Sequence, residues 1–215
     1  MQAVILCAGV GSRLRPLTDF VPKCLVKVGG KPILEWQLTA LLDNNIKDIV
    51  VVVGYKGEQV RRFIEAHFSE STVQIIENSE YATTNNMYSL YLAEQYLKGG
   101  FVLMNGDVVF DASIVKALIQ SSFQDAIVVD TGVFNEESMK IVIERGLIVD
   151  ISKQIPRERA SGVSIDLYKF SDRGRQRLFQ EVRRMVEGEG DRNQWTEVAI
   201  QQMLKTGMQV HPVEI

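Results

Sequence analysis

The stretch that decides the fold is residues 3–33, AVILCAGVGSRLRPLTDFVPKCLVKVGGKPI, where an apolar run leads into a glycine-rich basic loop and then a Pro-Lys pair. The run at residues 4–6 is typical of a short strand that is buried on both faces of a parallel sheet. Gly9 and Gly11 allow a tight turn, and the loop brings hydroxyl and cationic side chains to the same place. A loop of free backbone N–H groups and cations at the end of a strand predicts a phosphate-binding site.

These glycines do not match two common nucleotide-binding motifs. A dinucleotide-binding turn needs a third glycine three residues after the second, where this chain has Leu14. It also needs an acidic residue at the end of the second strand, where this chain has Gly54. The G-x-x-x-x-G-K-[ST] pattern of a P-loop does not occur in this stretch either. A glycine turn with incidental surface charge is the alternative interpretation of the glycines alone.

The longer pattern G-x-G-S-R-L-R-P-L-T-x-x-x-P-K-x-L-x-x-V-x-G-K-P-I resembles the signature of the nucleotidyltransferases that activate sugar phosphates and phospho-alcohols. The resemblance implies that the backbone around Ala8, Gly9 and Gly11 holds the base and the phosphates. It also implies that Arg13 and Lys23 draw charge from the triphosphate. Attack on an α-phosphate builds negative charge, which fixed cations and N–H groups stabilise better than water does.

Composition limits the class of protein. A chain of 215 residues that is 46% hydrophobic is long enough for one domain with a full core. A net charge of −3, with locally clustered basic residues, does not indicate binding to nucleic acid or to a membrane. Cys7 and Cys24 have no C-x-x-C context, so a disulfide framework or a zinc site is not expected. Because no stretch approaches about 20 apolar residues, we expect a cytoplasmic protein.

Strands alternate with helical patterns through the first two-thirds of the chain. This order predicts an α/β fold with a mainly parallel, Rossmann-like mixed sheet flanked by helices. The predicted strands after the first one are residues 49–53, 73–76, 101–104 and 126–129. Shorter strands within residues 138–170, separated by a turn at Gly146, predict a hairpin excursion from a single domain of residues 1–215. The resemblance implies the nucleotide-diphospho-sugar transferase fold, with the excursion on the acceptor side.

Residues 78–93, NSEYATTNNMYSLYLA, form a second informative segment. On its own the segment is typical of a loop that leads into a helix, with asparagines that cap the start of the helix. Its spacing resembles the matching segment of phosphocholine cytidylyltransferases and of their relatives that load CTP onto phospho-alcohols. The resemblance favours CTP over UTP, dTTP or GTP, and it places Tyr81, Asn85, Asn86 and Ser89 near the base or the acceptor.

Asp107 follows the apolar strand at residues 101–104. A carboxylate at the carboxyl end of a buried strand lies where open α/β sheets bind ligands, although aspartate there is also a common turn former. The resemblance makes Asp107 the ligand of Mg²⁺, which proteins usually hold with one or two carboxylates plus phosphates and water. Similar proteins have a Glu-Ile-Asp segment after the position of Ile215 that completes their metal site. Truncation, replacement by Glu197 or another acid, and weaker metal binding therefore all stay open.

The excursion carries two lysines near the ends of apolar runs, Lys140 and Lys153. Lysines are usually solvated, so neither is informative alone. By the resemblance, Lys153 is the clamp for the acceptor phosphate and Lys140 is a second candidate, because two anions must meet in the reaction. Relatives commonly have an acid and a glycine where this chain has Val163 and Asp166. Choline-type, aminoethyl-type and inositol-type acceptors consequently stay open.

Together these features predict a Mg²⁺-dependent cytidylyltransferase that transfers CMP from CTP to a small phosphorylated alcohol and releases pyrophosphate. The predicted nucleotide-binding residues are Leu6, Ala8, Gly9, Gly11, Ser12, Arg13, Lys23, Tyr81, Asn86, Ser89 and Gly106. The predicted catalytic residues are Arg13, Lys23 and Lys153, the acceptor-binding residues are Asn85, Lys140 and Lys153, and the metal ligand is Asp107. Two alternatives stay open: a sugar-1-phosphate nucleotidyltransferase of the same fold, and a nucleotide-binding module without activity.

Overall fold

The computed structural model describes residues 1–68, 72–132 and 134–215. Its strands are β1 (Gln2–Cys7), β2 (Lys27–Val28), β3 (Lys31–Pro32), β4 (Asp48–Val53), β5 (Thr72–Glu77), β6 (Phe101–Asn105), β7 (Ala126–Asp130), β8 (Lys140–Glu144), β9 (Leu147–Ser152), β10 (Gly162–Phe170) and β11 (His211–Glu214). Its α-helices are α1 (Ile33–Asp43), α2 (Gly57–His67), α3 (Asn86–Ala93), α4 (Ala112–Gln120), α5 (Asp172–Arg183) and α6 (Thr196–Lys205). A π-helical turn, Arg184–Gly188, continues α5.

The main sheet has the strand order β11-β7-β10-β6-β1-β4-β5, and the β8–β9 hairpin joins it through β10. Strands β1, β4, β5 and β6 are parallel to their neighbours in that group, and β11 is parallel to β7. Strand β10 runs antiparallel between β6 and β7. The predicted α/β fold with a mainly parallel mixed sheet is therefore confirmed.

Strand β1 is buried on both faces because its side chains alternate between two hydrophobic cores. Ala3 and Ile5 face one core, which also contains residues of α1 and α4. Val4 and Leu6 face the other core, which contains residues of α3, α5 and α6. An apolar run without polar alternation is what a central parallel strand requires, since helices cover both of its faces.

The parallel strands position the site because their carboxyl ends lie at one edge of the sheet. In the register of the sheet, Cys7 at the end of β1 pairs with Val53 of β4, and Leu6 pairs with Asn105 of β6. The loops that follow these strands therefore meet at the same place, which is the usual ligand-binding edge of an open α/β sheet. Among the described residues, no helix combines the length and the apolar character needed to cross a membrane.

Candidate active site

A cleft of about 560 Å³ opens at the carboxyl edge of the parallel strands. Its walls come from the loop after β1, the asparagine-rich segment before α3, the end of β6, the excursion and the start of α6. The cleft lining contains the predicted nucleotide-binding residues Leu6, Ala8, Gly9, Gly11, Ser12, Arg13, Lys23, Tyr81, Asn86, Ser89 and Gly106. It also contains Asn85, Lys153 and Asp107. The binding roles of these residues stay predictions, but the fold brings them to one place.

The glycine-rich loop is fixed by the residues that it folds against. Gly11 has φ +67°, a conformation that favours glycine, and a Cβ built there would lie 2.9 Å from Lys23 Cβ. Thr18 Oγ1 donates to Gly11 O at 3.0 Å, and Tyr55 N donates to Ala8 O at 3.0 Å. The backbone of the loop is therefore held in one conformation, and it packs directly against the side chain of Lys23.

Lys23 and Asp107 are in direct contact in the cleft, Nζ to Oδ2. Asp107 reaches this position because Gly106 lets the chain pass closely over the end of β1. A Cβ on Gly106 would lie 2.5 Å from Cys7 Sγ, and Gly106 N donates to Leu6 O at 2.9 Å. The structure therefore places the predicted catalytic lysine beside the predicted metal-binding carboxylate.

Two free thiols, Cys7 and Cys24, lie in the wall behind this contact and are buried. The hydrogen bond that the Cys7 thiol makes to Cys24, followed by burial, raises the pKa of Cys7 well above its usual value. A buried thiol with a raised pKa stays protonated at neutral pH and is a poor nucleophile. We therefore assign Cys7 a packing role.

Asn78, which the sequence analysis did not single out, organises the asparagine-rich segment. Its side chain is 1% exposed, and Nδ2 donates to Thr84 Oγ1 and to Ser89 Oγ, both at 3.1 Å. Its Oδ1 accepts a hydrogen bond from Glu80 N at 3.0 Å. The sequence contained one indication that Asn78 belongs to the site, namely its position. Asn78 follows β5 at the same edge of the sheet where Asp107 follows β6.

The adjacent residues Asn85 and Asn86 line the cleft in different ways. Asn85 is the N-cap of α3, and its Oδ1 accepts from Asn86 N at 2.9 Å. Asn86 donates from Nδ2 to Asn105 Oδ1 at 3.2 Å and accepts at Oδ1 from Thr196 N at 2.9 Å. Asn86 therefore ties the start of α3 to both β6 and α6, in addition to facing the cleft.

The opposite end of the cleft is built around Lys153 and Trp195. Lys153 Nζ lies 4.5 Å from the centre of the Trp195 ring and 3.6 Å from Glu137 Oε2. Trp195 is 41% exposed, and residues 137–139 complete this side of the lining. We call this end the acceptor end; it is formed by residues 137–139, 153, 164, 166, 195 and 197.

Lys140 does not line the cleft, in contrast to the other residues predicted to bind the acceptor. It is 5% exposed, and its Nζ donates to the backbone carbonyls of Glu136 at 3.2 Å, Ser138 at 3.4 Å and Lys153 at 2.7 Å. Three acceptors use all three ammonium protons. Lys140 therefore does not fit a direct role as an acceptor ligand; it fastens together the segments that carry Lys153 and residues 137–139.

Two carboxylates, Asp166 and Glu197, line the acceptor end and share one neighbour, Tyr168. The Tyr168 hydroxyl lies 2.7 Å from Glu197 Oε1 and 3.1 Å from Asp166 Oδ1. Burial, followed by the charges of Glu197 and Asp107, raises the pKa of Asp166 to about 7. Sequence reasoning noted Asp166 only as a departure from relatives, and it noted Glu197 only as a possible metal ligand. Val163, the other departure, is 7% exposed and lies outside the lining.

Asp107 fits a Mg²⁺ site that substrate oxygens complete. Its side chain is 36% exposed in the cleft, so one oxygen can serve a ligand. Across residues 1–68, 72–132 and 134–215, no group of three or more His, Cys, Asp or Glu side chains could hold a metal by itself. Mg²⁺ does not require such a group, because it is usually held by one or two carboxylates together with phosphate and water oxygens.

Sequence comparison finds relatives among cytidylyltransferases. The chain is 38% identical over 123 residues to the choline-phosphate cytidylyltransferase of Streptococcus pneumoniae, a match that covers 57% of this chain and 52% of that protein. It is 35% identical over 159 residues to the bifunctional IPC transferase and DIPP synthase of Aquifex aeolicus, covering 72% of this chain and 36% of that protein. The matched stretch thus spans about half, or less, of these curated relatives.

Structure comparison identifies the fold, and a family model identifies the family. The inositol-1-phosphate CTP transferase from T. maritima superimposes with a TM-score of 0.82 at 21% identity, covering 99% of this chain and 84% of that one, which shows a common fold. The model of the MobA-like NTP transferase domain matches residues 3–194. This stretch contains the glycine-rich loop, the asparagine-rich segment and Asp107. The chain therefore belongs to the MobA-like NTP transferase domain family.

Proposed function

We propose that this protein is a cytidylyltransferase that transfers CMP from CTP to the phosphate of a small phosphorylated alcohol, giving a CDP-alcohol and pyrophosphate. The observation that carries the proposal is the contact between Lys23 and Asp107 against the glycine-rich loop. This contact combines a cation, a carboxylate for a metal and a backbone surface at one point. A triphosphate needs all three at its reacting end.

The preference for CTP is supported by the asparagine-rich segment and by the name of the Streptococcus pneumoniae relative, a choline-phosphate cytidylyltransferase. We propose that Tyr81, Asn86 and Ser89 lie against the nucleotide. Asn78 holds Ser89 in place through the hydrogen bond to its Oγ. A buried, fully hydrogen-bonded network of this kind gives side chains a fixed position from which to read a base.

In the proposed reaction, an oxygen of the acceptor phosphate attacks the α-phosphorus of CTP. The new P–O bond forms while the bond from the α-phosphorus to the bridging oxygen breaks, and pyrophosphate leaves with that electron pair. No general base is needed, because the acceptor phosphate is already ionised. Arg13 and Lys23 stabilise the charge on the triphosphate, and Lys153 holds the acceptor phosphate against the repulsion of a second anion.

Asp107 would hold Mg²⁺ together with triphosphate oxygens. When bound, the ion supplies charge neutralisation and polarisation at the reacting phosphate. We further propose one nucleotidyltransferase domain over residues 1–215, with its acceptor side formed by the excursion at residues 138–170. The cytoplasmic location stays a prediction.

The test is to incubate the wild-type protein with CTP, Mg²⁺ and one acceptor at a time, and to measure both pyrophosphate and the nucleotide product. Phosphocholine, 2-aminoethylphosphonate, inositol 1-phosphate and glucose 1-phosphate form the panel. We expect release with at least one of the first three, and its loss when EDTA removes the metal. Turnover of glucose 1-phosphate alone would indicate a sugar-1-phosphate nucleotidyltransferase. Binding of CTP without any product would indicate a nucleotide-binding module.

A further inference from the structure

Gln37 is a buried polar residue of α1 that the proposed reaction does not use. It is 1% exposed, and the other buried residues of α1 are apolar. Its Nε2 donates to Asn105 O at 2.8 Å and to Val108 O at 3.0 Å. These two carbonyls lie on either side of the turn at Gly106 and Asp107. One amide group of α1 therefore closes the turn that carries the predicted metal ligand.

The side-chain amide of Gln37 is only partly satisfied in the core. Both Nε2 protons are used by the turn. Its Oε1 is buried and has no hydrogen-bond partner among the residues that the structure describes. Burying an amide oxygen without a donor is unfavourable, and methionine would fill a similar space without that penalty. Packing alone therefore does not explain a glutamine at this position, whereas its two hydrogen bonds to the turn do.

The same turn is also held from the side of the sheet. Gly106 N donates to Leu6 O at 2.9 Å, so the end of β1 fixes the start of the turn. Asp107 follows, and its side chain is 36% exposed in the cleft, where it contacts Lys23. Because this side chain extends out of the core, its position depends on the backbone that carries it. Strand β1 and Gln37 hold that backbone from two sides.

The helix that carries Gln37 is also fastened to the segment that carries Lys23. Val26 N donates to Lys23 O at 3.1 Å, and Val26 O accepts from Ile33 N, at the start of α1, at 3.0 Å. One helix therefore supports both the segment of Lys23 and the turn of Asp107. These are the two side chains that meet in the cleft, so α1 determines how they are placed relative to each other.

We infer that Gln37 is a positioning residue for Asp107, and that its two hydrogen bonds set the geometry in which the enzyme binds Mg²⁺ with the triphosphate. This inference rests on the proposed cytidylyl transfer and adds a residue to it. Gln37 does not line the cleft, so it acts through the turn and not on a substrate. A turn that is fixed beforehand lowers the free energy needed to order the site when the metal and the nucleotide bind.

The test removes the amide of Gln37 and keeps the side-chain length. Gln37→Met takes away both donors to the turn. The matched control is Gln2→Met, because Gln2 is 7% exposed and its Nε2 also donates twice, to Asp48 Oδ2 at 3.0 Å and to Tyr96 O at 3.1 Å. Gln2 begins β1, at the opposite edge of the sheet from the cleft. Both variants therefore lose a buried amide, but only Gln37→Met affects the turn.

Two measurements need no turnover. Hydrogen exchange followed by mass spectrometry should show the peptide that covers residues 105–110 exchanging at least about tenfold faster in Gln37→Met than in the wild-type protein, and unchanged in Gln2→Met. Calorimetry then compares CTP binding in Mg²⁺ and in EDTA, without an acceptor. We expect the gain in CTP affinity that Mg²⁺ provides to shrink about tenfold in Gln37→Met, while the affinity in EDTA stays within about twofold.

Steady-state kinetics gives the third measurement, with pyrophosphate release as the readout. In Gln37→Met we expect the Mg²⁺ concentration for half-maximal rate to rise about tenfold and kcat to fall about tenfold, while the KM for the acceptor stays within about twofold. A purely structural role would lower stability without changing the Mg²⁺ requirement of the folded enzyme. Gln37→Glu is the second variant, in case Gln37→Met does not fold. An ionised carboxylate has no donor, so the same direction of change is expected.

Two results would overturn the inference while leaving the proposed function intact. One is a folded Gln37→Met enzyme with the Mg²⁺ dependence of the wild-type protein. The other is an equal change in Gln2→Met, which would assign the effect to general destabilisation. Absence of pyrophosphate release from the wild-type protein with every acceptor rejects the proposed function, and with it the inference. This failure is recognisable because it occurs without any substitution.

Discussion

The two ends of the cleft are built in different ways. The nucleotide end is formed mainly by the loop within residues 8–23, together with Gly106 and Asp107 from the next strand of the sheet and the asparagine-rich segment. Its main feature is a backbone that is fixed by the close packing of neighbouring atoms, as at Gly11 and Gly106. The acceptor end is assembled from side chains of four separate segments, which contribute residues 137–139, 153, 164 and 166, and 195 and 197.

This difference corresponds to two tasks of the site: binding of the triphosphate, which every acceptor requires, and recognition of one particular acceptor. A triphosphate presents the same anionic oxygens whatever the acceptor is, so a rigid backbone loop with fixed cations serves it. The acceptor is recognised by individual side chains, and these change without disturbing the sheet. The comparison predicts that substitutions at the nucleotide end act on all acceptors alike, whereas those at the acceptor end act on some acceptors only.

The largest expected effect is that of Lys23→Ala. Removing a fixed cation from the triphosphate should lower kcat by about 10²- to 10³-fold with every acceptor, since such groups stabilise charge mainly in the transition state. Pyrophosphate release measures the rate, and circular dichroism checks the fold. Lys27→Ala is the matched control, because Lys27 is exposed in the same stretch and outside the cleft. A folded Lys23→Ala enzyme with the rate of its control would contradict the assignment.

A smaller effect is expected for Gly11→Ala. The added Cβ meets Lys23 Cβ at 2.9 Å and lies on a backbone with φ +67°, so both the loop and Lys23 must shift. We expect kcat/KM for CTP to fall about 10- to 100-fold, because small misplacements of reacting groups have effects of this size. Steady-state kinetics with varied CTP measures the change.

The control for Gly11→Ala is Gly207→Ala, which separates strain from site geometry. Gly207 has φ +87°, but no atom lies within 4 Å of a Cβ built there. This variant should lose about 1 kcal/mol of stability without any change in kcat/KM for CTP. If both variants lost activity equally, the effect at Gly11 would reflect general destabilisation.

At the acceptor end, Lys140→Met tests a structural lysine. Removing the donor to three backbone carbonyls should lower the free energy of unfolding by about 1–3 kcal/mol, as measured by urea denaturation. Because Lys140 fastens Lys153 and residues 136–138, the KM for the acceptor should rise while the KM for CTP stays unchanged. Lys116→Met, at an exposed position on α4, should change neither quantity. A rise in the KM for CTP would argue against two separable ends.

The smallest expected effect is the pH-dependent stability of Asp166→Asn. Burial and the neighbouring acids raise the pKa of Asp166 to about 7, above the value of about 3.9 for an unfolded aspartate. Its contribution to stability is therefore present below about pH 4 and is lost as the pH rises through 7. Melting curves in EDTA should show a gain of about 2–6 °C for the variant above pH 8 and almost none at pH 4. A gain that is independent of pH would show that the charge of Asp166 is not responsible.

Much of the fold and most of the nucleotide end could be predicted from the sequence, because their determinants are local. The apolar run before Gly9 predicted a central strand, and the close approaches at Gly11 and Gly106 require glycine. Asp107 could be placed because it lies in the turn just after a strand. Asn78 likewise comes directly after β5. Because ligands bind at the carboxyl ends of the strands in open α/β sheets, its position could also have been predicted.

The acceptor end could not be predicted in the same way, since its contacts join residues that are distant in sequence. Nothing in the sequence near Lys140 indicates that its ammonium is used by three carbonyls, one of them that of Lys153. The pairing of Asp166 with Glu197 depends on Tyr168 in β10 facing the start of α6. Such contacts appear only when the packing of strand against helix is known.

The central claim is cytidylyl transfer in this cleft, and a nucleotide competition experiment tests it most directly. The wild-type protein is incubated with Mg²⁺, equal concentrations of CTP, UTP, dTTP and GTP, and a mixture of phosphocholine, phosphoethanolamine, inositol 1-phosphate and glucose 1-phosphate. Mass spectrometry then identifies every nucleotide product. The account predicts that CDP-alcohols are formed and that products of the other nucleotides are not. Formation of a UDP-, dTDP- or GDP-linked product in preference to a CDP-alcohol, or of no product at all, would contradict it.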